Sequence, residues 1–179
     1  MLVAIGVTTA GVRSILGVSV SLSEAEVHWR EFLASLQDRG LHGVRYIVSD
    51  DHAGLKQARE ARFAGVPWQR CQFHLAQNAL HHAPSVAMRS EVARDLRGVL
   101  DASDRPEADR QLQRIVKKYA PAALKLAAWL EQNVPEALTV LSLRPTAGSY
   151  APPTCSNEST KRSNDAPASL PSSPTKPAP

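Results

Sequence analysis

Hydrophobic and polar positions follow two rhythms along residues 1–143, and each predicts its own kind of element. β-Branched runs come first: "LVAIGVT" (2–8) and "VRSILGVSV" (12–20), joined by Thr9-Ala10-Gly11, predict a β-hairpin. The period then changes. In "SEAEVHWREFLASLQDRG" (23–40), Trp29, Phe32, Leu33 and Leu36 recur at i, i+3, i+4, i+7, so this stretch predicts an amphipathic helix. Ser23 and Glu26 carry the spacing of a capping box at its start, and Gly40 marks its end. Next come "VRYIVSD" (44–50) as a strand, "GLKQAREAR" (54–62) as a short helix with Leu55, Ala58 and Ala61 on one face, and "PWQRCQF" (67–73) as a further short strand. Hairpin, helix, strand, helix, strand predicts an α/β fold, a mixed sheet covered by helices.

From Leu75 onward the strand signals stop. Val92, Leu96, Val99 and Leu100, then Ala108, Leu112, Ile115 and Val116, then Leu126, Trp129 and Leu130 each mark an amphipathic helix. The sequence "DASDRPE" and Pro121 separate them, so residues 75–143 read as a helical unit following a 1–74 core. After Arg144 the composition shifts: eight of the 13 prolines lie there among Ser, Thr and Ala, with no helical or strand period. Residues 144–179 are therefore expected to be disordered.

Composition refines the picture without changing it. At 43% apolar and 21% charged residues the chain is an ordinary globular protein, and no apolar run approaches the roughly 20 residues of a membrane span. The N-terminus lacks a basic region and a cleavage site, so a cytoplasmic location and no membrane partner are expected. Cys71 and Cys155 are too few for a disulfide framework. The net charge of +4 owes much to the last 36 residues, which hold four of the 21 basic and two of the 17 acidic residues; 17 against 15 remain in 1–143. Charge alone does not establish nucleic-acid binding.

Three groups of residues could carry chemistry. Asp50, Asp51 and His52 stand where a strand runs out and a helix begins. A carboxylate at the carboxyl edge of a sheet can take Mg²⁺, but an Asp before a helix can equally cap it, and spacing leaves both open. Cys71 and His74 form a C-x2-H pair that could join His81 or His82 around zinc, against the plainer reading of a buried thiol and a polar helix start. Lys56, Arg59, Arg62, Arg70 and Arg89 could make a phosphate-facing edge or ordinary solvated faces, and Trp29, Trp68 and Trp129 are most simply core residues.

Three motifs in order, RGL-x-GV (39–44), SD-x-H-x-GL (49–55) and W-Q-R-C-x-x-H-x-x-x-N (68–78), make Leu2–Leu143 resemble the central region of Mutator-type transposases of bacterial insertion sequences. The resemblance implies a ribonuclease H-like catalytic core with an α-helical insertion. It also implies an Asp-Asp-Glu triad that holds two Mg²⁺ or Mn²⁺ ions for cleavage and transfer of DNA strands at insertion-sequence ends. Asp50 then matches the second acid and metal ligand, Asp51 stands where the pattern has glycine, and Cys71 and His74 match the family's C-x2-H signature. Asp51 and His52 are at most auxiliary.

The other two acids of the triad have no counterpart. In the family the first precedes the strand that opens this chain, and the last lies in a stretch resembling R-T-T-N-x-x-E-R-x-N, where this chain reads "RPTAGSYAPPTCSNESTKRSNDAP". With suitable synonymous codons and the frame displaced by two nucleotides, residues 146–167 spell R-R-K-L-R-T-T-N-M-L-E-R-I-N-K-E-I-K-R-R-T. A frameshift near residues 141–147 is the expectation, which would make Glu158 a coincidence of the shifted frame. The chain is thus expected to be a transposase fragment inactive alone, with weak metal affinity at Asp50 and with DNA as partner. The alternative is a non-catalytic module that binds DNA or full-length transposase and regulates it. Sequencing the gene and its flanks should show R-T-T-N-x-x-E in the displaced frame; its absence would make the tail genuine.

Overall fold

A computed structural model describes residues 1–20 and 25–143. Ser23 of the expected capping box and the whole 144–179 tail lie outside the described residues. The hairpin forms as expected: β1 (Leu2–Val7) pairs antiparallel with β2 (Arg13–Ser19), with a bulge between Ala4 and Ile5. Its inner face presents Leu2, Ala4 and Leu16 to α1 (Glu26–Asp38), where Trp29, Phe32, Leu33 and Leu36 receive them together with Leu41. Helix and hairpin approach closely at Gly17, where a Cβ would come within 2.9 Å of Leu36.

The start of α1 departs from the expected capping box. Ala25 is the N-cap and offers no side-chain bond, so Glu26 stands in the first turn, where it pairs with Arg30 instead of reaching back. The end matches expectation. Gly40 has φ +96°, its N–H donates to the Gln37 carbonyl at 2.9 Å, and the Leu41 N–H donates to the Leu36 carbonyl at 3.0 Å. This is a Schellman closure, which a left-handed glycine permits and a side chain would strain. The RGL motif is therefore a stop signal with an anchor: Arg39 donates from Nη2 to the Leu16 carbonyl at 2.8 Å and ties the helix end to β2.

β3 (Ile47–Ser49), α2 (Ala53–Arg62) and β4 (Trp68–Arg70) follow as a parallel crossover, with Ile47 opposite Trp68, Val48 opposite Gln69 and Ser49 opposite Arg70. β3 is shorter than the sequence suggests, because Val44, Arg45 and Tyr46 do not join the ladder. In α2, Leu55 and Ala58 are buried while Ala61 faces solvent. The expected single mixed sheet is not observed: among the described residues the strands form two separate pairs, β1–β2 and β3–β4. The α/β class stands, but two pairs do not by themselves make a ribonuclease H-like sheet. Helix α1 spans them, packing on α2 and donating from Gln37 Nε2 to the Arg62 carbonyl at 3.1 Å.

The helical part has the larger core. α3 (Gln72–His81), α4 (Val86–Leu100), α5 (Arg105–Tyr119), α6 (Leu124–Asn133), a 3-10 turn (Val134–Ala137) and α7 (Thr139–Leu143) enclose one apolar cluster running from Leu75 to Leu141. The predicted stripes supply it: Val92, Leu96 and Val99, then Ala108, Leu112 and Ile115, then Leu126 and Leu130 are buried. Caps sharpen the boundaries. Ser85 accepts from the Met88 N–H at the start of α4, and Asp104 of "DASDRPE" accepts from the Glu107 N–H at 2.8 Å at the start of α5.

A polar clasp joins α4 to α5. Asp95 accepts from Lys118 Nζ at 2.6 Å and from the buried Tyr119 hydroxyl at 2.7 Å, and Lys118 also reaches Glu91 at 2.6 Å. Partial burial works to raise the Asp95 carboxyl, but the Lys118 and Tyr119 hydrogen bonds and the Lys118 charge outweigh it and hold its pKa below the ordinary 3.8. A carboxyl depressed on folding stabilises the fold above its unfolded value and loses that contribution as pH falls through the folded one. Urea unfolding should therefore show an acid-side loss of stability below about pH 4 that Asp95→Ala removes. The same change should cost about 1–3 kcal/mol at neutral pH, because the Tyr119 hydroxyl loses its partner. Leu96→Ala, at 1% exposure in the centre of this core, should cost about 2–5 kcal/mol in the same assay.

Candidate functional site

The parallel pairing of β3 and β4 sets the geometry of the candidate site. Because Ser49 lies opposite Arg70, the residues that follow each strand, Asp50 and Cys71, leave the same carboxyl edge side by side, and the Cys71 N–H donates to the Ser49 carbonyl at 2.6 Å. The first loop carries Asp50, Asp51 and His52 into the N-terminus of α2, and the second carries Cys71 into α3, with His74 in the first turn. The two motifs that seemed independent along the chain thus meet at the end of one crossover, the position at which open α/β sheets present ligand sites.

Asp51 pairs with basic side chains of the chain itself. It is not the cap of α2, since His52 holds that position, and its carboxylate is occupied by protein cations. Arg70 Nη1 approaches Asp51 Oδ2 at 2.8 Å, and Lys56 Nζ pairs with Asp51 Oδ1. Arg70 is itself 3% exposed and also reaches Asn133 Oδ1 at 2.6 Å and Glu136 Oε2 at 3.6 Å, while Lys56 reaches Glu136 Oε1 at 3.2 Å. Two acids and two bases thus alternate across the junction between the strand ends and the 3-10 turn. Aromatic faces line it: Lys56 and Arg59 lie over Trp68, and Arg70 lies over Trp129 at 5.6 Å.

The W-Q-R-C-Q segment docks the helical unit almost residue by residue. Trp68 Nε1 donates to Ser49 Oγ at 2.9 Å within the strand pair. Gln69 Oε1 accepts from the Val140 N–H at 2.9 Å, Arg70 bonds Asn133, and Gln72 Nε2 donates to the Ala137 carbonyl at 3.1 Å. Gln69, Gln72, Asn133 and Glu136 were not singled out from sequence. One signal pointed that way: polar residues in a short strand before a buried helix start must find partners, and a buried arginine requires acids.

The structure also places the remaining sequence-based candidates. The zinc reading fails geometrically, because His81 and His82 lie seven and eight residues beyond His74, about 10–12 Å along a helix. His82 instead stacks on Trp129 at 4.9 Å, and His74 is exposed beside Phe73. Among the described residues no three His, Cys, Asp or Glu side chains gather closely enough to hold a metal ion. Of the five basic residues that could have made a phosphate-facing edge or plain solvated faces, Arg70 and Lys56 pair with acids and Arg59 lies over Trp68, while Arg62 and Arg89 stand exposed on separate helices. Trp29 and Trp129 are half-buried and pack against the two apolar clusters, as core residues should, whereas Trp68 belongs to neither and presents its face to Lys56 and Arg59. Cys71 is buried and free.

Over residues 1–159 the sequence matches the family described as Transposase, Mutator family. The chain belongs to that family. It is 49% identical to the transposase for insertion sequence element IS406 of Burkholderia multivorans over 140 residues, 78% of this chain and 36% of that protein. It is 36% identical to the transposase for ISRM5 of Rhizobium meliloti over 143 residues, 80% of this chain and 36% of that one. The transposase for IS256 in transposon Tn4001 of Staphylococcus aureus is 32% identical over 137 residues, 75% and 35% of the two chains. The chain therefore spans about a third of the length of these Mutator-family relatives. The family match runs past Leu143 into residues 144–159, outside the described structure.

Removing Arg70 should expose how much of the assembly leans on it. Arg70→Ala should cost about 2–3 kcal/mol in urea unfolding, below the limit for fully buried pairs because Asp51 and Glu136 are about a third exposed and can rehydrate. A loss within ~0.5 kcal/mol, the range of ordinary surface changes, would show that the network does not hold the strand ends to the helical unit.

Proposed function

We propose that this chain is a central portion of a DDE-type transposase of an insertion sequence, built on a ribonuclease H-like core, and that it neither cuts nor joins DNA alone. Asp50 is the acid it would contribute to metal-dependent strand cleavage and transfer. The observation that carries this reading is the position of Asp50 at the carboxyl end of the parallel pair, beside the C-x2-H turn. The family membership and the relatives named as insertion-sequence transposases support it.

The donor set explains the expected inactivity. Mg²⁺ or Mn²⁺ in a complete catalytic domain would polarise the scissile phosphate and ready the attacking oxygen. Here Asp50 would be the ligand, with Asp51 already shared between Arg70 and Lys56. One available carboxylate gives weak affinity for a hard cation and falls short of a two-metal centre. What the chain's own residues do is hold Asp50 at the strand end and keep its neighbour neutralised. DNA is the partner in this reading, met in the cytoplasm, and its binding should be salt-sensitive and largely indifferent to sequence.

The purified chain, incubated with DNA carrying insertion-sequence ends and Mg²⁺ or Mn²⁺, should give no nicked or joined product, and Asp50→Ala should behave identically. Cleavage that disappears on Asp50→Ala would overturn the inactivity. DNA retention without cleavage, unaffected by Asp50→Ala, would favour the non-catalytic module.

A further inference from the structure

Charge on the α4–α5 layer is sorted by sign. On α5 the buried stripe is Ala108, Leu112, Ile115 and Tyr119, so Arg110, Arg114 and Lys117, spaced i, i+4, i+7, fall on the opposite, water-facing side. On α4, Val92, Leu96 and Val99 are buried, and Arg94 and Arg97 are exposed in the same way. Contacts between the helices set the two rows side by side. Lys118 reaches Glu91 and Asp95, and a Cβ on Gly98 would stand 3.1 Å from Gln111, so the helices run antiparallel with Arg94 and Arg97 alongside Lys117 and Arg114. The acids of both helices are drawn off elsewhere: Glu91 and Asp95 go to the Lys118 clasp, Asp109 pairs with Arg105, and Glu107 accepts from Arg110 and Gln111. Among the described residues no carboxylate lies within 4 Å of the charged ends of Arg94, Arg97, Arg114 or Lys117. Like charges three and four residues apart work against their own helix, and an ordinary solvated face interleaves the two signs.

We infer that this outer face of α4 and α5 is where the chain holds the DNA backbone; the inference rests on the reading of DNA as partner and assigns it a surface. Hydrated cations need no cover to be stable, so the face asks for a mobile polyanion and not for burial. Four of the five side chains are arginines, whose planar fork matches two phosphate oxygens at once. The rows stand on helices about 8–10 Å apart, and each runs about 5–10 Å at roughly 1.5 Å per residue. A duplex carries phosphates on both sides of a minor groove about 6 Å wide and can meet both rows together, whereas a single acidic strand follows one. Contacts of this kind go to phosphate and carry no base sequence. The clasp has a second effect here, since by holding Glu91 and Asp95 on Lys118 it keeps carboxylates away from the approaching backbone.

Fluorescence anisotropy of the full chain with a labelled duplex of unrelated sequence tests this. With about four phosphates neutralised, wild-type affinity should fall on the order of 100-fold between about 50 and about 200 mM salt. Arg94→Gln combined with Arg114→Gln should weaken binding more than about tenfold at the lower salt and reduce the log–log salt slope by about 2. Arg13→Gln combined with Arg62→Gln removes the same charge from the hairpin and α2 and should change the affinity less than about twofold. All four side chains are exposed, so the circular dichroism spectra should match the wild type. Equal weakening by both double variants overturns the inference while leaving DNA as the partner, because the attraction would then be the whole chain's charge. A wild type that does not bind the duplex at the lower salt overturns both. A wild type that prefers polyglutamate to the duplex marks the face as a site for acidic polypeptide and overturns it as well.

Discussion

An arginine withdrawn almost completely from water must be surrounded by acceptors, because an unpaired guanidinium in that position would cost more than the fold can spare. Arg70 answers this demand through Nη1, with groups drawn from three places: Asp51 after β3, Asn133 at the end of α6, and Glu136 in the 3-10 turn, while its buried Nε has no hydrogen-bond partner among the described residues. Each lies on a different structural unit, so satisfying one side chain fixes where the strand ends stand relative to the helices. Lys56 ties α2 into the same lattice through both acids. The remaining docking bonds, from Gln69 and Gln72, extend the seam to either side of it.

Much of the architecture was legible because it depends on local periodicity. The stripes of α4, α5 and α6 each lie on one short segment, and the same residues turned out to line the core. The hairpin and the Gly40 stop were readable for the same reason. Sheet assembly was not, because hydrogen bonds between distant strands leave no mark on either strand's own pattern; one mixed sheet was expected and two pairs are observed. The capping box failed more subtly: Ser23 and Glu26 have the correct spacing, yet the helix starts at Glu26.

At the candidate site the sequence located the edge but not its wiring. Asp50 could be placed at the end of a strand from order alone, whereas the Cys71–His74 turn beside it could not, because residues 67–73 read as one strand and the pairing of β3 with β4 leaves no mark in either. That Asp51 serves Arg70 could not, because the two are 19 residues apart, and Glu136 lies 66 residues beyond Arg70, on a turn with no distinguishing composition. The zinc alternative shows the converse error. Proximity in sequence put His81 and His82 near His74, whereas a rigid helix carries them to its far end, where His82 meets Trp129.

Lys56 bridging Asp51 and Glu136 has a thermodynamic corollary. Any cation drawn into the shell of Asp51 would withdraw a carboxylate that the helical unit uses for attachment, so occupancy at the strand edge and docking of the helices are linked equilibria. Reciprocity then requires that whatever tightens the docking resists such a cation by the same free energy. Asp51 thus acts as a counterweight to its neighbour: it adds negative charge beside Asp50 while making that charge conditional on how the helices sit.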